Sequence, residues 1–306
     1  METDNNYSTE ETEDTDESEE ETNVKLDSIS TAIDISDEIL ESVDADIPEN
    51  VDVEKLLSDL LNTIPHERSL TEALAKSFET KNPYQSIIVD DIIDSLNSIF
   101  SNEICLVNTR QIQQLADKFE NTYISGKMYA AALKSTFGRK KTFSQTKSFT
   151  GILYSTQLMK TKNTLKNLSQ LEPNETIGHF MFFNYSTAKG IVDIIDSQQT
   201  LPEISNYFSH NTLNTFFMNF FSSLKAIGLQ YPSPTLNYVK TWNTKQYDLE
   251  CGAISLCHLL TFLIKNDRSY SFKYKEDMLK SIRKFHKVQY LTNQIFLDIF
   301  KDNFLL

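Results

Sequence analysis

The stretch Lys245-Gln246-Tyr247-Asp248-Leu249-Glu250-Cys251-Gly252-Ala253-Ile254-Ser255-Leu256-Cys257 decides how the rest of the chain is read. A polar, turn-like lead-in ends at Glu250. The apolar run from Ala253 to Ile264 has the length and composition of a buried helix. Cys251 therefore falls in the first turn of that helix. There, free backbone N–H groups and the positive end of the helix dipole favour a thiolate over a thiol. A cysteine placed in this way is a candidate nucleophile. The chemistry then asks for a base, an acid that orients the base, and donors for an oxyanion.

Working outward, residues 179–196 read as a hairpin. His179-Phe180-Met181-Phe182-Phe183-Asn184-Tyr185 is a strand, Ser186 to Gly190 is turn chemistry, and Ile191-Val192-Asp193-Ile194-Ile195-Asp196 is the return strand. Pairing about Ala188 sets His179 opposite residue 196 or 197, within one position. Cross-strand neighbours stand about 4.5–5.5 Å apart at Cβ. His179 and Asp196 are thus expected to touch, and a ring nitrogen held by a carboxylate is how a general-base histidine is oriented. Asp193 faces the other side of the pleat. His258 follows Cys251 by two helical turns, about 10 Å, too far to act as its base, and it reads as core together with Cys257. Cys105 reads as a strand-core thiol, and His66, His210 and His286 carry no partner signal.

The 306-residue chain has a formal charge of −14 that is unevenly spread. Residues 1–54 hold 21 acids and one base, Lys25, which leaves 22 acids and 28 bases in a mildly basic body. Three cysteines without short paired spacing argue against a disulfide scaffold and for a reducing compartment. The five histidines are scattered, and there is no CxxC or HExxH, so no metal centre and no cofactor is expected. The acidic start does not resemble a Sec signal or a transit peptide. The longest apolar run, Leu256 to Ile264, is too short to span a bilayer, so a soluble protein of the cytoplasm or nucleus, or of a virion, is expected.

Along the chain, residues 1–54 read as an acidic disordered tail. Residues 55–84 read as a helical linker or accessory segment, marked by Val53, Leu56, Leu57, Leu60 and Leu61 at helical spacing. The main domain is expected over 85–306. It contains an amphipathic helix from Ile87 to Phe100 with Asp90, Asp91 and Asp94 in its first half, a short strand Ile104–Val107, and a helix Ile112–Phe119. Residues 121–171 contain no acid and nine bases. They read as a surface with variable loops, or as a docking face at 127–166 for an acidic or phosphate-rich ligand. Residues 201–228 form an aromatic core helix, and Leu236–Val239 a strand. Residues 274–300 form one or two amphipathic helices, with Met278, Leu279, Ile282 and Phe285 inward and Lys280, Arg283 and Lys284 outward.

The order His179, Asp196, Gln246, Cys251-Gly252 resembles that of the clan CE cysteine proteases, the ubiquitin-like-protein-specific (SUMO-type) proteases together with the adenovirus protease. Gly178-His179-Phe180 resembles the Gly-His-Trp of that group. Ile194-Ile195-Asp196-Ser197 resembles its hydrophobic-hydrophobic-Asp-Ser strand end, and Glu250-Cys251-Gly252 its Asp-Cys-Gly at a helix start. Ile88 to Ile93 and Ile104 to Val107 resemble the early helix and strand. The likeness covers roughly residues 85–265. It departs at Phe180, an aromatic lid in place of Trp, and at Gln246, which stands only five residues before Cys251.

The resemblance implies an α+β, papain-like fold with a central mixed sheet flanked by helices. It also implies a Cys-His-Asp triad of Cys251, His179 and Asp196, with an oxyanion held by the Cys251 N–H and by Gln246 or another group such as Asn243. The implied partner is a polypeptide, either a ubiquitin-like modifier conjugate or a viral polyprotein. The Asn/Lys/Ile/Phe-rich composition fits an AT-rich viral or microbial effector source. Two other readings of the same fold stand beside this one. One is a YopJ-type acetyltransferase, for which the basic 127–166 stretch would suit an inositol polyphosphate. The other is a catalytically inactive binding module.

Overall fold

The computed structural model describes residues 52–63, 68–100, 103–119, 126–138, 143–154, 178–197, 210–240, 249–273 and 278–306. The acidic tail up to residue 51, His66, Asn243, Gln246 and six of the nine bases of the 121–171 stretch lie outside these residues.

A five-stranded mixed sheet, in spatial order β1-β2-β3-β4-β5, organises the compact unit 53–306. Its strands are β1 (Ile104–Val107), β2 (Ser148–Tyr154), β3 (Phe180–Ser186), β4 (Ile191–Asp196) and β5 (Thr235–Tyr238). The outer pairs, β1 with β2 and β4 with β5, are parallel; β2, β3 and β4 run antiparallel to one another. The central strands read as nearly continuous apolar runs because helices cover both faces. Alternation divides the run cleanly. Phe180, Phe182, Ile152 and Ile195 face one core, whereas Met181, Phe183, Phe149, Leu153 and Ile194 face the other.

The first core is closed by α1 (Val53–Thr63), α3 (Ser86–Ile99), α7 (Cys251–Lys265), α8 (Met278–Thr292) and α9 (Leu297–Phe304). The second is closed by α4 (Thr109–Phe119), α5 (Gly126–Phe137) and α6 (His210–Ala226). A short helix, α2 (Glu72–Ser77), leads into the turn before α3, with Thr71 as its N-cap. Helix α7 is buried on every side from Cys251 to Leu263, which explains why its sequence lacks a polar face. It ends at Asn266 in the left-handed conformation, whose N–H bonds to the Phe262 carbonyl.

Several elements differ from the sequence reading. The segment read as a linker or accessory helix is packed into the unit: Leu57 of α1 is fully buried, and Glu54 accepts hydrogen bonds from Ser281 and Lys284 of α8. The stretch read as basic, loop-rich surface contains α5 and the buried central strand β2. Its charge obscured the run Phe149-Thr150-Gly151-Ile152-Leu153-Tyr154. Asp90, placed by its sequence position in the first half of α3, instead turns inward and accepts the Thr109 N–H at 2.6 Å at the start of α4. Burial raises its pKa. In α8, Arg283 is not on the outer face; it has no exposed surface. His286 has a partner, the Tyr84 hydroxyl at 2.9 Å from Nδ1.

Candidate active site

Two separate pieces of chain meet at one end of the sheet. The first is the β3–β4 hairpin. Its register pairs Met181 with Asp196, so His179 lies beyond the last paired rung and meets Asp196 diagonally. This is one position further along than pairing about Ala188 would give, because the turn spans Thr187 to Gly190 and closes with Gly190 N–H on the Ser186 carbonyl. The contact survives the shift: His179 Nε2 is 2.6 Å from Asp196 Oδ1. A diagonal neighbour lies within reach of a long side chain. Both residues are almost fully buried.

The second piece is the start of α7. Cys251 is its first residue and is 9% exposed. Its side chain hydrogen-bonds to His179. Burial alone would lower the pKa of His179. The hydrogen bonds with Asp196 and Cys251, and the negative charge of both groups, outweigh burial and lift it to about 9. The imidazole therefore holds its proton at neutral pH.

No side chain caps α7. Its first intrahelical bond is Ile254 N–H to the Glu250 carbonyl at 3.0 Å, so the N–H groups before Ile254 have no intrahelical acceptor. Cys251 thus stands in the turn that holds these backbone donors and the positive end of the helix dipole.

Aromatic rings and two glycines shape the surroundings. A Cβ on Gly252 would lie 2.8 Å from Tyr84 Cβ and 3.2 Å from Phe180 Cδ2. A Cβ on Gly178 would fall on the Tyr154 ring. Phe180 stacks on Tyr154 at 4.5 Å and is 1% exposed, so it is a buried wall between sheet and helix rather than a lid. A cleft of about 560 Å³ opens at Gly178, lined also by Tyr154, Tyr84, Pro83, Gln85 and Lys76, among others.

The remaining sequence candidates fall elsewhere. Asp193 does not join the site; it is bound by Arg268, by the Tyr270 hydroxyl and by Asn237. His258 is core, with its Nδ1 hydrogen-bonded to the Tyr270 carbonyl and burial lowering its pKa to about 4. Cys257 is buried in apolar surroundings that raise its pKa, and Cys105 is buried and belongs to no disulfide. Of the basic stretch, Lys127 and Lys134 lie on α5, and Lys147 forms an ion pair with Glu103. Among the described residues, no cluster of His, Cys, Asp and Glu is placed to hold a metal ion, and no helix is long and apolar enough to cross a membrane.

Two residues beside the site escaped the sequence reading. The sequence reads Glu250 as the end of a polar lead-in and Arg283 as surface. They form a buried ion pair at 2.7 Å. A charged residue spaced to fall between the inward Leu279, Ile282 and Phe285 was the available signal.

Comparison with solved structures places this architecture. The SUMO protease Ulp1, with its catalytic cysteine oxidised to a sulfonic acid, superposes with a TM-score of 0.52 over 81% of this chain and 98% of its own, at 10% identity. This is the SUMO-protease fold. The protease domain of Ulp1 in complex with SMT3, the yeast ortholog of SUMO, matches with a TM-score of 0.50 over 81% of this chain and 97% of its own, at 11% identity. No protein-family model matches the sequence, and no curated protein matches it. The likeness to Ulp1 is thus one of backbone path, and the α+β fold with a mixed sheet between helices is the one expected from the three short motifs.

Proposed function

We propose that this chain is a cysteine peptidase that cleaves ubiquitin-like modifiers from their conjugates or precursors. Cys251 is the nucleophile, His179 the acid and base, and Asp196 the residue that orients His179. The observation that carries this reading is the position of His179, hydrogen-bonded at once to the Asp196 carboxylate and to the Cys251 thiol at an uncapped helix start.

In this mechanism the Cys251 sulfur attacks the scissile carbonyl carbon, and the carbonyl oxygen takes up negative charge facing the first-turn N–H groups of α7. Protonated His179 gives its Nδ1 proton to the leaving amine nitrogen, the C–N bond breaks, and a thioester remains on Cys251. Neutral His179 then takes a proton from water. The hydroxide adds to the thioester, the C–S bond breaks, and the acid product leaves. Gln246 is the proposed second oxyanion donor. The likeness to the Ulp1 fold supports the substrate class, and the cleft walled by Tyr84, Tyr154 and Gly178 suits an extended peptide.

The test is covalent capture with SUMO, ubiquitin and NEDD8 carrying a C-terminal propargylamide. One of them is expected to form an adduct at Cys251 that is lost in Cys251→Ala and His179→Ala. No adduct with any probe, together with Cys251-dependent autoacetylation in acetyl-CoA and inositol hexakisphosphate, would overturn the peptidase reading in favour of acyl transfer.

A further inference from the structure

Glu250 occupies the N-cap position of α7, directly before Cys251. A carboxylate there ordinarily turns back and accepts an N–H of the second or third helical residue, here Gly252 or Ala253. It makes no such bond. Its Oε2 instead accepts the Arg283 Nε–H at 2.8 Å and lies 2.7 Å from Nη2 as an ion pair, and its Oε1 accepts the Lys81 N–H at 3.1 Å. Both charged groups are buried.

The rest of the guanidinium is also committed. Nη1 donates to the Ser77 carbonyl at 2.6 Å, and Nη2 donates to the carbonyls of Asn82 at 2.8 Å and Leu249 at 3.2 Å. Its carbon lies 4.8 Å from the centre of the Tyr84 ring. Leu249 has φ +72°, a left-handed conformation that a leucine adopts only when its surroundings impose it. Tyr84, in turn, backs Gly252. One side chain thus touches the two residues before the nucleophile and the ring behind the residue after it.

We propose that Arg283 is a positioning residue for the reaction: it draws the Glu250 carboxylate away from the first turn of α7, so that the N–H groups there stay free for the oxyanion and no second anion faces the Cys251 sulfur. This inference rests on Cys251 being the nucleophile. A buried ion pair is a weak stabiliser compared with apolar residues of the same volume, but its fork geometry fixes position. Without the guanidinium, Glu250 would compete for the amides at the helix start.

The experiment uses the full chain in a Cys105→Ser, Cys257→Ser background, so that Cys251 is the sole thiol. It reads iodoacetamide alkylation, kcat and KM on the modifier substrate, and the folded fraction by circular dichroism. Arg283→Met should lower kcat on the order of 10²-fold, the effect of losing an oxyanion donor, with KM changed by less than about three-fold. The double variant Glu250→Gln, Arg283→Met should recover most of that loss, since the competing charge is gone. Arg283→Lys keeps the charge without the fork; it should fold like the parent and lose kcat by roughly ten-fold. Two results would overturn the inference alone: parental kcat and alkylation rate in folded Arg283→Lys, or a double variant no better than Arg283→Met. A parent whose Cys251 alkylates no faster than an ordinary thiol, and which cleaves no modifier, would remove the nucleophile reading and this inference with it.

Discussion

His179 and Asp196 meet at 2.6 Å across a diagonal of the β3–β4 ladder, not across one of its rungs. The rung belongs to Met181 and Asp196. The imidazole therefore reaches back over the sheet end toward its carboxylate through Nε2, which leaves Nδ1 outside that contact.

Asp196→Asn keeps a hydrogen-bond acceptor but removes the charge that favours imidazolium. In the parent, His179 holds its proton up to about pH 9, so the alkaline limb of kcat/KM on the proposed substrate should fall near that value. In Asp196→Asn the limb should move to lower pH. The rate on the plateau should drop on the order of 10²-fold or more, the scale of general acid–base catalysis. A pH–rate profile of both proteins checks this.

Stability should fall on both sides of neutrality for opposite reasons. The folded pKa of His179, about 9, lies above its ordinary value of 6.5, so its contribution is full below pH 6.5 and is lost as pH rises to 9. Burial lowers His286 to about 3, with Arg283 adding to the effect, and lowers His258 to about 4. These two are neutral in the folded chain, so their contributions are full above pH 6.5 and drain as the pH falls toward 4 and 3. Denaturant midpoints from pH 4 to 9 should trace this dome, and His179→Gln should flatten the alkaline side only.

Gly252→Ala gains up to about 1 kcal/mol of helix propensity. It also places a methyl 2.8 Å from Tyr84 Cβ, and Tyr84 is pinned by His286 and lies under Arg283. Overpacking of this kind costs about 1–3 kcal/mol, so net destabilisation is expected. Capture of a modifier probe should slow by more than the loss of folded protein explains, because the shifted turn carries Cys251.

Leu57→Ala should destabilise the whole unit by about 2–5 kcal/mol, as truncation of a fully buried leucine does. An accessory helix attached only at its surface would show a second, earlier transition instead. Thermal unfolding followed at two wavelengths separates the outcomes.

Much of this was legible in the sequence for local reasons. The hairpin announces itself by two apolar runs around a turn, and α7 by an uninterrupted apolar stretch opened by Cys251-Gly252. Contacts between segments far apart in sequence were not legible. Nothing in Lys284 or Glu54 alone reveals that α1 docks on α8. Arg283 reads as surface because arginine usually is, and only the fold brings four acceptors to it, from Ser77, Asn82, Leu249 and Glu250. Strand β2 was hidden by its flanking lysines, although its own residues have strand character.

The tie from Glu250 to Arg283 spans 33 residues, whereas His179 and Asp196 are only 17 apart on one hairpin. During synthesis the acid and base emerge and pair first, since chains fold from the N-terminus as they are made. The cysteine follows, but the residue that fixes its approach comes later, on α8. A chain that stops short of α8 therefore lacks the Arg283 partner of Glu250, so the start of α7 depends on the last part of the chain to be made for its ion pair.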